Sequence, residues 1–347
     1  MKSTGRIFSL LLVLCSVLSL FSSCGAETTS SATGIPETTS TSGSSFSVPA
    51  SGSSVSETTK EETDLKVNFQ YTDEGYTDHA ALSRKAAADG MVLLENKNQA
   101  LPLKKEDTVA LFGKGQIHFY KGGTGSGDVN ALYTVHPLEG LRNKVKEGKV
   151  GLYEELAQKY EANTSFKPDE STVKKAAETA NTAILVISRN TGEMYDRKNN
   201  PGDFRLSKEE ETLLKQILDA GFSKTVVVMN IPSVMDLSFI NTYPDISSLL
   251  IAWQPGMEGG NALADVLCGD VNPSGKLTDT IATSYKYYPS ADTFNSISSS
   301  EEYREDIYVG YRYFETFATE YKTVLYPFGY GLSYTHFELG TPTVEHN

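Results

Sequence analysis

Residues 183–230, AILVISRNTGEMYDRKNNPGDFRLSKEEETLLKQILDAGFSKTVVVMN, decide the fold class. The stretch opens on a near-continuous apolar run, residues 183–188, of the kind found in strands covered on both faces. A helical pattern follows over residues 208–220. Ser207 stands before it with Glu210 three positions on, a capping-box start, and Gly221 supplies the stop. A second apolar run, residues 225–230, completes a βαβ unit. Similar strand signals occur at 109–112 and 248–253, and helical patterns at about 81–89, 172–179 and 258–269. Strands alternating with helices predict an α/β fold: a doubly wound, mostly parallel sheet flanked by helices, an α/β sandwich.

Ligands of open α/β sheets bind outside the carboxyl ends of the strands, so function is sought in the loops that follow them. The loop after 109–112 reads Gly113-Lys114-Gly115-Gln116 and then Lys121-Gly122-Gly123-Thr124-Gly125-Ser126-Gly127-Asp128. Glycines here let backbone approach a ligand closely, and they equally suit a purely structural tight loop. The segment lacks both the phosphate-loop spacing and the third glycine of the dinucleotide fingerprint. The loop after 183–188 crowds Arg189, Glu193, Tyr195, Asp196, Arg197 and Lys198 at the mouth of a strand. A general acid needs a carboxyl whose pKa is raised by partial burial and whose geometry is fixed by polar neighbours, a role Glu193 fits. The alternative is that Glu193 and Asp196 are ion-paired with Arg189, Arg197 or Lys198.

Upstream the character changes. Lys2 and Arg6 precede an apolar run over residues 7–21, followed by small residues, which predicts a signal peptide over residues 1–23. Phe21-Ser22-Ser23-Cys24-Gly25 resembles a bacterial lipoprotein boundary, with Cys24 as the lipidated residue and an extracellular, membrane-anchored location. A plain secretory signal cut near Ala26 is the alternative. Residues 24–66 are a Ser/Thr-rich linker, too poor in apolar surface to offset its ordering entropy. Of the 3 cysteines only Cys268 is then left for the folded part, where its helical context predicts a buried small hydrophobe. No intramolecular disulfide is available to it.

The whole chain has 347 residues with 31 Lys plus Arg against 44 Asp plus Glu, a net charge of −13. That balance disfavours nucleic acid as a partner and leaves the membrane reachable only through the lipid anchor. His79, His118, His136, His336 and His346 show no metal-ligand spacing, so no metal is expected, and no Gly-x-Ser-x-Gly elbow is present.

Five ordered segments carry a resemblance: residues 90–103 (GMVLLENKNQALPL), 109–130 with KGGTGSGDVN, 186–206 with ISRNTGEMYDRKNNPGDFRL, 252–277 (AWQPGMEGGNALADVLCGDVNPSGKL), and 308–337 with YVGYRY and YPFGYGLSYTHF. Together they are similar to the second domain of glycoside hydrolase family 3, the β-glucosidase-like enzymes. The resemblance implies an α/β sandwich over residues 67–337 and a retaining exo-glycosidase acting on a β-linked oligosaccharide or glycoside, without a cofactor. It implies the acid/base role for Glu193 and sugar contacts for Ser126 and Thr124. A retaining mechanism needs two carboxyls about 5–5.5 Å apart. The family's nucleophile sits in a Ser-Asp-Trp context on a TIM-like barrel, and these 347 residues hold no such segment: the single tryptophan, Trp253, falls in the sandwich motif.

Residues 338–347 resemble the start of a fibronectin type III-like domain, as expected of a truncated, reversed-order enzyme. The resulting expectation is part of a β-glucosidase-like enzyme whose barrel comes from a missing portion or another chain. A catalytically silent carbohydrate-binding or docking module is the alternative, and a nucleotide-binding α/β protein rests on the glycine-rich loop alone.

Overall fold

The computed structural model describes residues 73–192, 196–294, 300, 302–317, 323–336, 338 and 340–343. The signal 1–23, Cys24, the linker 24–66 and much of the fibronectin-like segment 338–347 lie outside them. The strands are β1 (Val92–Asn96), β2 (Thr108–Phe112), β3 (Gly151–Leu152), β4 (Thr182–Ser188), β5 (Lys224–Asn230), β6 (Ser248–Ile251), β7 (Ile281–Ala282) and β8 (Val324–Tyr326). The helices are α1 (Asp73–Gly90), α2 (Pro137–Lys146), α3 (Glu154–Ala162), α4 (Glu170–Thr179), α5 (Lys208–Asp219), α6 (Phe239–Thr242), α7 (Gly259–Cys268) and α8 (Tyr311–Phe317).

Six strands form one sheet in the order β1-β6-β5-β4-β2-β3. Its β2–β3, β2–β4, β4–β5 and β5–β6 pairs are parallel, and β1 joins β6 antiparallel. The expected mostly parallel, two-faced sheet is therefore what forms. Alternate strand residues face opposite layers because side chains have a period of two. Phe112, Leu185 and Val227 pack with Leu156 and Tyr160 of α3, Val173 of α4 and Leu214 of α5. Leu111, Ile184 and Val228 pack with Ala88 of α1, Leu138 and Leu141 of α2, and Leu263 and Val266 of α7.

Local chemistry sets the element ends. Ser207 Oγ accepts from the Glu210 amide at 3.1 Å while the Ser207 amide donates to Glu210 Oε2 at 2.8 Å, the expected capping box of α5. Gly221, at φ +86°, lets the chain leave α5. Strand β6 stops two residues before the expected 253. Trp253 takes φ +53° and turns its indole Nε1–H onto the Gly90 carbonyl at 3.1 Å. Cys268 is half-buried, and burial pushes its thiol up to about 12, so it stays protonated and behaves as a small hydrophobe. Among the described residues no helix is long and apolar enough to cross a membrane.

Helices α2 and α7 touch backbone to backbone. A Cβ on Gly260 would stand 2.2 Å from the His136 carbonyl oxygen, and one on Gly140 would stand 2.1 Å from that of Gly260. Gly260→Ala must push the helices apart and is expected to cost about 1–3 kcal/mol. Gly90→Ala, where a Cβ meets nothing within 4 Å, is the matched control. Urea unfolding of both variants checks this.

The same helices share a charged cluster. Lys144 of α2, its side chain only 4% exposed, lies 2.7 Å from both Asp265 and Asp270, and Arg84 of α1 forms a two-pronged pair with Asp265 at 2.5 and 2.6 Å. Burial pushes the Asp265 carboxyl up, but the Arg84 and Lys144 hydrogen bonds outweigh it and hold the group below its ordinary value. A carboxyl depressed by folding contributes fully above its unfolded pKa of about 3.9 and loses that contribution as pH falls through the lower folded value. The urea midpoint of the native chain should therefore fall steeply below about pH 4. Asp265→Asn should start lower and show a shallower acid slope.

Candidate functional site

Both loops singled out by the sequence lie at the carboxyl end of the sheet. Gly113 leaves β2 at φ +87°, where an added Cβ would meet the Val186 carbonyl oxygen at 2.4 Å. The Gly113 amide donates to Tyr160 Oη at 3.0 Å, and buried Gln116 donates through Nε2 to the Leu111 and Gly113 carbonyls at 2.9 and 3.1 Å. The first part of the glycine-rich segment is thus a tight turn clamped onto β4, so its glycines here serve packing.

The second part is tied down by Asn230, fully buried at the end of β5. Its Oδ1 accepts from the Tyr120 amide at 2.7 Å, and its Nδ2 donates to the carbonyls of Tyr120 at 3.0 Å and Trp253 at 2.6 Å. One carboxamide therefore joins the ends of β5 and β6 to the base of the glycine-rich loop. Lys121 closes that loop by donating to Asp128 Oδ1 at 3.0 Å and the Val129 carbonyl at 2.6 Å. Ser126 stands exposed in a short 3-10 turn, Gly125–Gly127. Beyond it Val129 and Leu132 are 65% and 73% exposed.

The loop after β4 begins with Arg189. Its guanidinium grips Glu210 of α5 at 2.6 and 2.5 Å and donates to the carbonyls of Ser188, Asp203 and Arg205. Arg189 is thus committed to holding the loop's return leg. Arg197 donates to the Val234 carbonyl at 3.1 Å and lies 3.8 Å from Asp203; burial lowers its pKa, against the pull of Asp203. Asn190 Oδ1 accepts from the Thr191 amide and from Gln254 Nε2, both at 2.9 Å, so the segment after β6 also supports this loop. Glu193, with Met194 and Tyr195, lies outside the described residues, and Gly192 is the last position described before it.

The two loops meet. The Thr124 amide donates to the Thr191 carbonyl at 3.2 Å, and Thr124 and Gly192 form an isolated parallel bridge. A Cβ at position 192 would sit 1.9 Å from Thr124 Oγ1, so only glycine permits this approach. Thr124 Oγ1 is enclosed in the contact, whereas Ser126 faces solvent. Asn230, Asn190 and Gln254 escaped the sequence reading as site supports. Their partners lie up to 110 residues away, and the only sequence cue is a polar residue ending an apolar run, as at Asn230.

No group of three or more metal-ligating side chains occurs among the described residues. His136 Nδ1 accepts from the Phe119 amide at 3.2 Å, and burial lowers its pKa, both of which favour the neutral ring.

Asn230→Ala removes three hydrogen bonds and orphans two carbonyls and an amide. A stability loss of about 2–3 kcal/mol is expected. Hydrogen exchange should show faster amides at residues 118–131 with the β4 amides unchanged.

The model of the glycosyl hydrolase family 3 C-terminal domain matches residues 91–334. Beta-glucosidase A of Butyrivibrio fibrisolvens is 42% identical over 295 residues, covering 75% of this chain and 35% of the relative. A beta-glucosidase of Ruminococcus albus is 39% identical over 272 residues, covering 73% and 28%. Among solved structures, a beta-glucosidase from Paenibacillus barengoltzii superposes with a TM-score of 0.70 at 41% identity, covering 74% of this chain and 30% of the other. Beta-glucosidase 3B from Thermotoga neapolitana, in complex with glucose, gives 0.69 at 39% identity, covering 76% and 39%. The chain spans about a third of the length of these curated relatives.

Proposed function

Since the chain belongs to glycosyl hydrolase family 3 through its C-terminal domain, we propose that it forms part of a retaining β-glucosidase-like enzyme and supplies the acid/base carboxyl, Glu193. The nucleophile-bearing domain comes from outside these 347 residues, on a longer polypeptide or a second chain. The observation that carries this reading is the bridge between Thr124 and Gly192, which holds the segment entering Glu193 against the loop bearing Ser126.

In this reading Glu193 protonates the leaving oxygen as the nucleophile attacks the anomeric carbon, then deprotonates the water that releases the sugar. Ser126, exposed at the loop tip, hydrogen-bonds the sugar. Thr124 acts chiefly through its backbone, because its hydroxyl oxygen is enclosed against Gly192. Exposed Val129 and Leu132 are covered by the partner domain. Lipidation of Cys24 and the 24–66 tether hold the assembly off a membrane surface.

Glu193→Gln in the enzyme assembled with its nucleophile-bearing domain should slow glycosides with poor leaving groups by about 10²–10⁴-fold. Activated aryl glycosides should be slowed less, and azide, which needs no general base, should restore turnover. An equal, small loss on both substrate types would instead mark Glu193 as an ion-pair partner. The 347-residue chain alone should not hydrolyse an aryl β-glucoside, because covalent catalysis needs the missing nucleophile. A burst of aglycone from it would overturn the two-part site.

A further inference from the structure

A cavity of about 610 Å³ opens on the α3–α4–α5 side of the sheet at the carboxyl ends of β2 and β4, within the size range of small-molecule sites. These neighbouring strands send the chain in opposite directions. From β2 it runs outward through α2 to the edge strand β3, and from β4 inward through α5 to β5. The two connections pass over opposite faces of the sheet, and such a reversal leaves a crevice between the strand ends. Thr124, Ser126 and Asn190 are not among its lining residues, so it is separate from the loop contact described above.

Its lining divides sharply in character. Leu185 and Ile187 of the sheet, with Phe166 and Leu213 half-covering them, make an apolar wall. Lys114 and Lys208 stand exposed at the mouth and form no ion pair among the described residues. Of the carboxylates lining the cavity, Glu210 is held by Arg189, and Glu209 is shared between Lys167, at 3.8 Å, and its neighbour Lys208. Three lysines, Lys114, Lys167 and Lys208, thus line the cavity against two carboxylates, one of them already neutralised by Arg189, and in a chain of net charge −13 this cationic rim on an apolar cavity selects for an anionic head. The wall behind them suits a body without further charge.

We propose that this cavity binds a small aromatic carboxylate, its ring against Phe166 and Leu213 and its carboxylate at Lys114 and Lys208. The test titrates the 347-residue chain with cinnamate and with cinnamamide, its neutral match, by calorimetry. Cinnamate should bind saturably and at least tenfold more tightly than the amide. Lys114→Ala/Lys208→Ala should abolish that preference and leave the thermal midpoint of the unliganded chain unchanged, since both side chains are exposed. Leu213→Trp, which fills the cavity, should weaken both compounds. Absence of saturable cinnamate binding, equal affinity for the two compounds, or a preference that survives in the double variant would overturn the proposal.

Discussion

Strands β4 and β5 are buried on both faces for nearly their whole length, and this constraint governs where polar chemistry is possible. A hydrogen-bonding group placed mid-strand would lose its hydration without a partner. The first polar side chains that do more than pack therefore appear where the strands end: Asn230 at the end of β5 and Arg189 directly after β4. Each of these positions joins loops or secondary elements distant in sequence. Hydrophobic burial thus fixes the frame, and the strand-end polar groups transmit its rigidity to the loops.

The supports closest to the loop contact are neutral. Asn230, Asn190, Gln254 and Gln116 each use a carboxamide, which offers a donor and an acceptor together and so complements backbone groups. A carboxylate in place of Asn230 would have nothing to donate to the carbonyls of Tyr120 and Trp253, and would bury a charge at a site with no exposure. Full charges close each loop instead, Lys121 with Asp128 in the glycine-rich loop and Arg189 with Glu210 in the other. Charge thus closes the loops, while neutral amides shape the ground between them.

Much of this was legible in the sequence because local chemistry decided it. The apolar runs of β2, β4, β5 and β6 and the Ser207–Glu210 cap of α5 depend on near neighbours, and they appear where the pattern places them. Strand β1 is not legible, since the short run Val92-Leu93-Leu94 carries no mark of direction and its antiparallel place beside β6 is set by a partner about 150 residues away. The end of β6 at Ile251 depends on a carbonyl of Gly90, some 163 residues away from Trp253 in sequence. Glu210 was legible as a cap residue but not as the partner of Arg189, because one carboxylate serves both roles. Glu193 lies outside the described residues, so the role proposed for it rests on the family and on the geometry of Thr191 and Gly192 before it.

A glycine directly before a catalytic carboxyl would ordinarily be a liability, since it adds backbone freedom where positional precision matters most. The contact at Gly192 reverses that expectation. The absent side chain lets the backbone of Thr124 approach closely enough to bridge it, and Thr124 belongs to a loop closed by Lys121 and rooted through Tyr120 in Asn230. On the other side Asn190 holds Thr191 and is itself held by Gln254. The backbone leading into Gly192 is thus held by two supports, Thr124 and Asn190. In the proposed enzyme the carboxyl would enter its site from a segment tied to the ends of three strands, which suits a reaction whose second carboxyl arrives on a separate domain and must meet the first at a fixed separation.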